Sequence, residues 1–219
     1  MHEHFRDFAT VSATVRPGRL YRVGWTLLAG CPVGMEAAPG AVLIDLRSAV
    51  EMTPLVGAVS IPIDVPGVVA RLGGRPADAE YSALYAATVD LCGREIVGVV
   101  TAVAGAAGPV ALGCSLGKDR TGLVVALLGV LVGVPEAEVL AADVLARRGI
   151  LGCEAAVRTY AAARGCTVDE LVRRCSLDDS ALRFTLEHVR VRYGGVEKYL
   201  LANGLGASTV DRLRESLLE

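Results

Sequence analysis

The stretch from residue 110 to residue 132 constrains the fold more than any other. A short apolar run, Val110-Ala111-Leu112, gives way to Gly113-Cys114-Ser115-Leu116-Gly117-Lys118-Asp119-Arg120-Thr121-Gly122, and the aliphatic segment Leu123 to Val132 follows. Apolar strand, glycine-containing loop and helix form the layout that gathers backbone N–H groups and a helix N-terminus around an anion. The aliphatic run reaches Val134, well short of the roughly 18 residues of a membrane-spanning helix. It reads as a helix buried in a protein core.

Upstream, short β-rich runs alternate with Gly and Pro turns: Arg19 to Val23 after the turn Arg16-Pro17-Gly18, Ala41 to Leu46, and Val59 to Ile63. Such unbroken apolar runs suit strands covered on both faces. Helical periodicity takes over at Ala79–Leu91 and Glu95–Ala107, before Gly108-Pro109. After the central segment it returns at Glu136–Arg148, Glu154–Arg164, Val168–Cys175, Asp179–Arg192, Val196–Asn203 and Thr209–Leu218. Asp178 and Ser208 are the expected N-caps of two of these helices, and Gly204 the expected stop of a third. The expectation is an α/β fold, a central mostly parallel sheet flanked by helices with a helical C-terminal half. No repeat or linker divides residues 1–219, so one domain is expected.

Composition narrows the function. With 53% hydrophobic and 21% charged residues the chain has the makings of a core. Its 22 basic and 24 acidic residues nearly cancel, which argues against binding to a nucleic-acid polymer. Only Lys118 and Lys198 among the basic residues are lysines. The polar start, Met1 to Asp7, lacks the pattern of a signal peptide, and six sparse cysteines lack zinc-ligand spacing. Expected, therefore, are reduced thiols, a cytoplasmic protein without stable membrane insertion, and no metal or cofactor. His2, His4 and His188 show no ligand spacing either.

The loop has the spacing Cys-x5-Arg. A loop that wraps a tetrahedral oxyanion with successive amides, backed by a helix N-terminus, also favours the ionised form of a thiol at its mouth. Cys114 then suits attack on phosphorus, and the planar fork of Arg120 suits two phosphoryl oxygens, where transition-state charge resides. Thr121 offers a hydroxyl next to the sulfur, Lys118 a second positive charge and Asp119 a carboxyl for proton transfer. A nucleotide-binding Gly-x4-Gly-Lys-[Ser/Thr] loop does not fit, because Leu112 stands five before Gly117 and Asp119 follows Lys118.

Cys-Ser-Leu-Gly-Lys-Asp-Arg-Thr-Gly resembles the signature of protein tyrosine phosphatases of the Cys-x5-Arg class, and most closely their bacterial tyrosine and lipid phosphatase branch. Phe5-Arg6-Asp7, Gly18 to Arg22, Ile44 to Arg47 and Tyr193 to Leu200 match stretches of that branch in order. The resemblance implies a cysteinyl-phosphate mechanism with Cys114, Arg120 and Asp119 catalytic, and phosphotyrosine or phosphoinositide as substrate. Ser115, Leu116, Gly117, Lys118 and Thr121 would bind substrate. Asp64, in Ile61-Pro62-Ile63-Asp64, is the alternative to Asp119 as proton donor. The family usually has His before the nucleophile and a small residue two beyond it; this chain has Gly113 and Leu116.

Two alternatives stand beside this reading: a phosphatase of a soluble metabolite such as a nucleotide, sugar or inositol phosphate, and an inactive phosphate-binding module. Aromatic residues are only 5%, and the segment before the strands offers no obvious ring to sandwich a phenol. Cys31, Cys92, Cys153, Cys166 and Cys175 read as small buried hydrophobes. Asp45, Arg47, Tyr21 and Arg22 read more as bracing than as substrate contacts.

Overall fold

A computed structural model describes residues 5–30, 38–48, 51, 55–74, 81–152, 154–175 and 179–218. Five strands form one sheet: β1 (Phe5–Asp7), β2 (Leu20–Gly24), β3 (Val42–Asp45), β4 (Val59–Ser60) and β5 (Val110–Cys114). Their spatial order is β1-β2-β5-β3-β4. Only β1, at one edge, runs antiparallel; β5 lies between β2 and β3 and is parallel to both.

Besides a 3-10 turn at Phe8–Val11, eleven α-helices are described: α1 (Trp25–Gly30), α2 (Val65–Arg71), α3 (Tyr81–Leu91), α4 (Gly93–Gly105), α5 (Asp119–Val132), α6 (Glu136–Ile150), α7 (Glu154–Ala163), α8 (Val168–Cys175), α9 (Ser180–Tyr193), α10 (Val196–Ala202) and α11 (Ala207–Leu217). The α/β class, the mostly parallel sheet and the helical C-terminal half agree with the sequence reading. Among the described residues, no helix is long and apolar enough to cross a membrane.

Strand alternation divides the core. Leu20, Val110, Leu112 and Cys114 face the main cluster, built with α3, α4, α5, α9, α10 and α11. Tyr21, Val23 and Ala111 face the opposite side, where Phe5, Trp25 and Leu28 cover them. Helix α5 is the expected core helix, with 12 of its 14 residues buried. It begins at Asp119, four residues before the aliphatic run, and β5 extends through Cys114. The connection therefore shrinks to Ser115–Lys118.

Other boundaries differ for local reasons. The run Val59–Ile63 forms regular strand only at Val59–Ser60, but the amides of Ile61 and Ile63 still donate to Asp45 O at 3.0 Å and Leu46 O at 3.1 Å, and Pro62 between them sits on the edge strand, where a proline is tolerated. Helix α2, unread in the sequence because of Pro66 and Gly67, carries its proline in the first turn, where the missing donor costs nothing. Ser208 is not a cap: α11 already starts at Ala207 after Gly206. Asp178 lies outside the described residues. Gly204 does follow α10 in the left-handed region, with φ of 102°, as expected of a stop.

Candidate active site

The ends of three parallel strands converge on the loop: Gly24 of β2 is the register partner of Cys114, and Asp45 of β3 is the partner of Gly113. The loop thus opens at the C-terminal ends of β2, β5 and β3. The carboxyl ends of parallel strands are where ligands bind in open α/β sheets.

The loop is tied from behind. Ser115 O accepts from the Thr26 amide at 3.0 Å, and Gly117 O from Arg22 Nη2 at 3.0 Å. Gly117 has φ of +68°, and a Cβ there would stand 2.7 Å from the Val23 carbonyl, so only glycine fits. Arg22 also pairs with Asp143 at 2.9 Å, and Asp143 with Arg147 at 2.6 Å, all three buried. Among the described residues, no backbone carbonyl takes the amides of Ser115 to Lys118. These donors suit an anion seated over the sulfur.

Arg120 comes from the first turn of α5. Its Nη1 donates to Leu46 O at 3.0 Å and to Glu51 Oε2 at 2.5 Å, and its Nη2 to Glu51 Oε1 at 2.7 Å. A guanidinium has five N–H donors; among the described residues Nε–H and the second Nη2–H are left over, side by side on one edge, the fork that matches two phosphoryl oxygens. Burial works against the Arg120 charge, but the Cys114 sulfur and Glu51 outweigh it and hold the group protonated. Burial likewise pushes the Glu51 carboxyl up, and the bonds and charge of Arg120 bring it below its ordinary value. Glu51 is fixed in turn by Ser48, whose amide and hydroxyl donate to Oε2 at 2.9 and 3.0 Å.

Asp119 opens α5 with its side chain about one-third exposed. Its Oδ1 accepts from Tyr85 Oη at 2.6 Å and lies 3.2 Å from Lys118 Nζ. Burial raises its pKa, but Lys118, the Tyr85 bond and Arg147 hold it below the ordinary carboxylate value. The Tyr85 phenol is pushed well above its ordinary value by burial and by Asp119, so it remains a donor. Lys118 Nζ also donates to Arg174 O at 3.0 Å and sits 5.1 Å from the centre of the Tyr81 ring.

A cavity of about 340 Å³ opens over Cys114. Cys114, Ser115, Leu116, Lys118, Asp119 and Arg120 form its floor. Val65, Pro66 and Val69 of α2 with Tyr81 make one wall; Tyr160, Arg164, Cys166, Leu171 and Arg174 of the α7–α8 region make the other. Burial pushes the Tyr160 phenol up to about 12.

Of the residues expected from sequence, Gly117 and Thr121 lie beneath this surface rather than on it. The Thr121 hydroxyl is buried and has no hydrogen-bond partner among the described residues. Asp64 is exposed, caps α2 by accepting from the Gly67 amide at 3.1 Å, and does not line the cavity. Arg47 and Asp45 form a buried pair at 2.7 Å, and Tyr21 stacks on Phe5. Cys92 and Cys175 are buried, but Cys166 is half-buried on the cavity wall. Cys31 and Cys153 lie outside the described residues.

Sequence reading missed Glu51, Tyr81, Tyr85, Tyr160 and Arg164. Tyr81 of α3 and Tyr160 of α7 both line the cavity, rings that the sequence reading did not place there. Two signals were present: Ser48-x-x-Glu51 has the capping-box form, and Tyr81 and Tyr85 share a helix face at i, i+4.

No curated protein matches this chain. A family model described as the tyrosine phosphatase family matches residues 3–219. Spanning nearly the whole sequence, that match joins with the sheet, loop and fork to one conclusion: the chain belongs to the tyrosine phosphatase family.

Proposed function

We propose that the protein hydrolyses phosphomonoesters through a cysteinyl-phosphate intermediate. The observation that carries this is the placement of Cys114 on the floor of the cavity beside Arg120, whose Nε–H and one Nη2–H remain undonated after Glu51 and Leu46 are served. The loop amides and the Arg120 fork bind three phosphoryl oxygens. The Cys114 thiolate attacks phosphorus, the P–O bond to the leaving group breaks, and Asp119 delivers a proton to the departing oxygen. Asp119, now ionised, takes a proton from water; the hydroxide oxygen bonds to phosphorus, the P–S bond breaks, and inorganic phosphate leaves. Asp119 is favoured over Asp64 because it lines the cavity, whereas Asp64 is engaged as a helix cap.

Among substrates, phosphotyrosine gains support from Tyr81 and Tyr160, which give the cavity aromatic sides. Arg164 and Arg174 on one wall favour a second reading, a small soluble phosphomonoester with a further anionic group. Phosphate release by wild type and Cys114→Ser, across phosphotyrosine peptides, phosphoinositides, nucleoside monophosphates and sugar phosphates, tests both. Cys114-dependent release is expected, and the best substrate selects between the readings. Phosphate binding without release from any member would point instead to a phosphate-binding module.

A further inference from the structure

Gly113 has no side chain for a visible reason. A Cβ at this position would stand 2.6 Å from Trp25 Nε1, 2.7 Å from Trp25 Cε2 and 2.6 Å from the Val23 carbonyl. The histidine that the family resemblance places before the nucleophile cannot be seated here, because the Trp25 indole and the Val23 carbonyl already fill the space. Trp25 is the first residue of α1, directly after Gly24, the register partner of Cys114. It is 4% exposed, and the next residue, Thr26, donates its amide to Ser115 O at 3.0 Å. The β2–α1 corner thus holds both chain neighbours of Cys114: a ring packs on residue 113 and an amide binds residue 115.

We propose that Trp25 is a positioning residue for Cys114, its indole fixing the point where β5 passes into the phosphate loop. This rests on the reading of Cys114 as the nucleophile. The bulk of the ring, not its N–H, is what the corner uses: Nε1 is buried without a hydrogen-bond partner among the described residues, an arrangement that ordinarily destabilises. A smaller apolar residue would leave the strand end free to shift, and sub-ångström placement of a nucleophile matters steeply to rate.

Trp25 is the only tryptophan in the chain, so its emission reports on this corner alone. In Cys114→Ser protein, titration with inorganic phosphate is expected to change Trp25 emission saturably, with the midpoint that calorimetry gives for the same sample. On the best substrate found, Trp25→Leu is expected to lower kcat about 10- to 100-fold with KM within about threefold, while Trp25→Phe stays within about threefold of wild type in both. Calorimetric binding of phosphate with unchanged emission overturns the proposal. So does a Trp25→Leu enzyme with undiminished kcat, or a folded Trp25→Phe enzyme as slow as the leucine variant. If Trp25→Leu fails to fold, the emission titration decides. Should wild type release no phosphate at all, the functional reading fails, and the emission titration still tests the contact between Trp25 and the loop.

Discussion

The floor and the α7–α8 wall of the cavity are held in different ways. Beneath and beside the floor lie buried carboxylate–guanidinium contacts: Asp45 with Arg47, Glu51 with Arg120, and Asp143 with both Arg22 and Arg147. Each fixes a strand end or a loop atom in one place. The wall is held by a small apolar cluster, Leu27, Leu116, Ile150 and Leu171 among its members, and by the bond from Lys118 to the Arg174 carbonyl. Arg164, its most exposed cation to contact the floor, is 41% exposed. Removing one partner of a buried pair leaves an uncompensated charge and costs several kcal/mol, whereas exposed pairs contribute about 0–1 kcal/mol. The floor is therefore the more rigidly held part, and the wall a packed surface that tolerates change; on the proposed function, the first would carry the chemistry and the second the substrate preference.

Arg120→Lys strikes this division hardest. A lysine cannot supply the lateral fork or satisfy Glu51 and Leu46 together, and kcat/KM is expected to fall by about 10³-fold or more. A fall of only a few-fold would show that the floor does not depend on planar recognition. Next in size is Asp143→Asn, buried behind the loop. It breaks the contacts that tie Arg22, and through it the Gly117 carbonyl, to Arg147, and is expected to lower the unfolding free energy by about 3–5 kcal/mol. The paired control, Asp179→Asn at the exposed contact with Arg183, is expected to change it by less than about 1 kcal/mol. Urea unfolding of the two variants measures the contrast, and equal effects would erase it.

The same division explains what could be read from the sequence. Strand, loop and core helix were legible because their residues are contiguous: an apolar run, a loop with three glycines and an aliphatic stretch state their own environment. Cys114, Asp119 and Arg120 were legible as a cluster because seven residues of chain bring them together. Glu51, Tyr85 and Tyr160 were not, since each arrives from a separate element and nothing local distinguishes a tyrosine that meets a phosphate loop from one that fills a core. Asp64 was ambiguous for a related reason: an aspartate after Pro-Ile reads equally as a proton donor or as a helix cap, and its bond to the Gly67 amide at the start of α2 could not be read before that helix was known.

Tyr85→Phe sharpens the comparison on the acid side of the pH profile. As general acid, Asp119 must be protonated in the free enzyme for kcat/KM, so the rate declines as pH rises through its pKa. That value is held low by Lys118, the Tyr85 hydroxyl and Arg147 against the effect of burial. Removing the hydroxyl withdraws a donor from the ionised form, raises the pKa and moves the falling limb to higher pH. The phenol itself remains protonated throughout, since its own pKa lies well above the ordinary value. A limb that stays in place would show that Tyr85 packs against Asp119 without tuning it.

The smallest effect is expected from Arg164→Ala. Its guanidinium lies over the Tyr160 ring, 3.5 Å from Ser115 Oγ and 3.6 Å from Glu51 Oε1. Arg120 already binds Glu51 more closely, so the floor keeps its brace without Arg164. Loss of a half-exposed cation should weaken uniform binding of an anionic substrate: KM rises by about 3- to 10-fold while kcat stays within about twofold. Thermal stability should hardly move, as is usual for an exposed pair. The rise in KM should be larger for substrates with a second anionic group than for phosphotyrosine peptides, and that ratio measures how far the wall selects. If kcat falls as it does for Arg120→Lys, Arg164 belongs to the floor, and the separation of chemistry from selection does not hold in this enzyme.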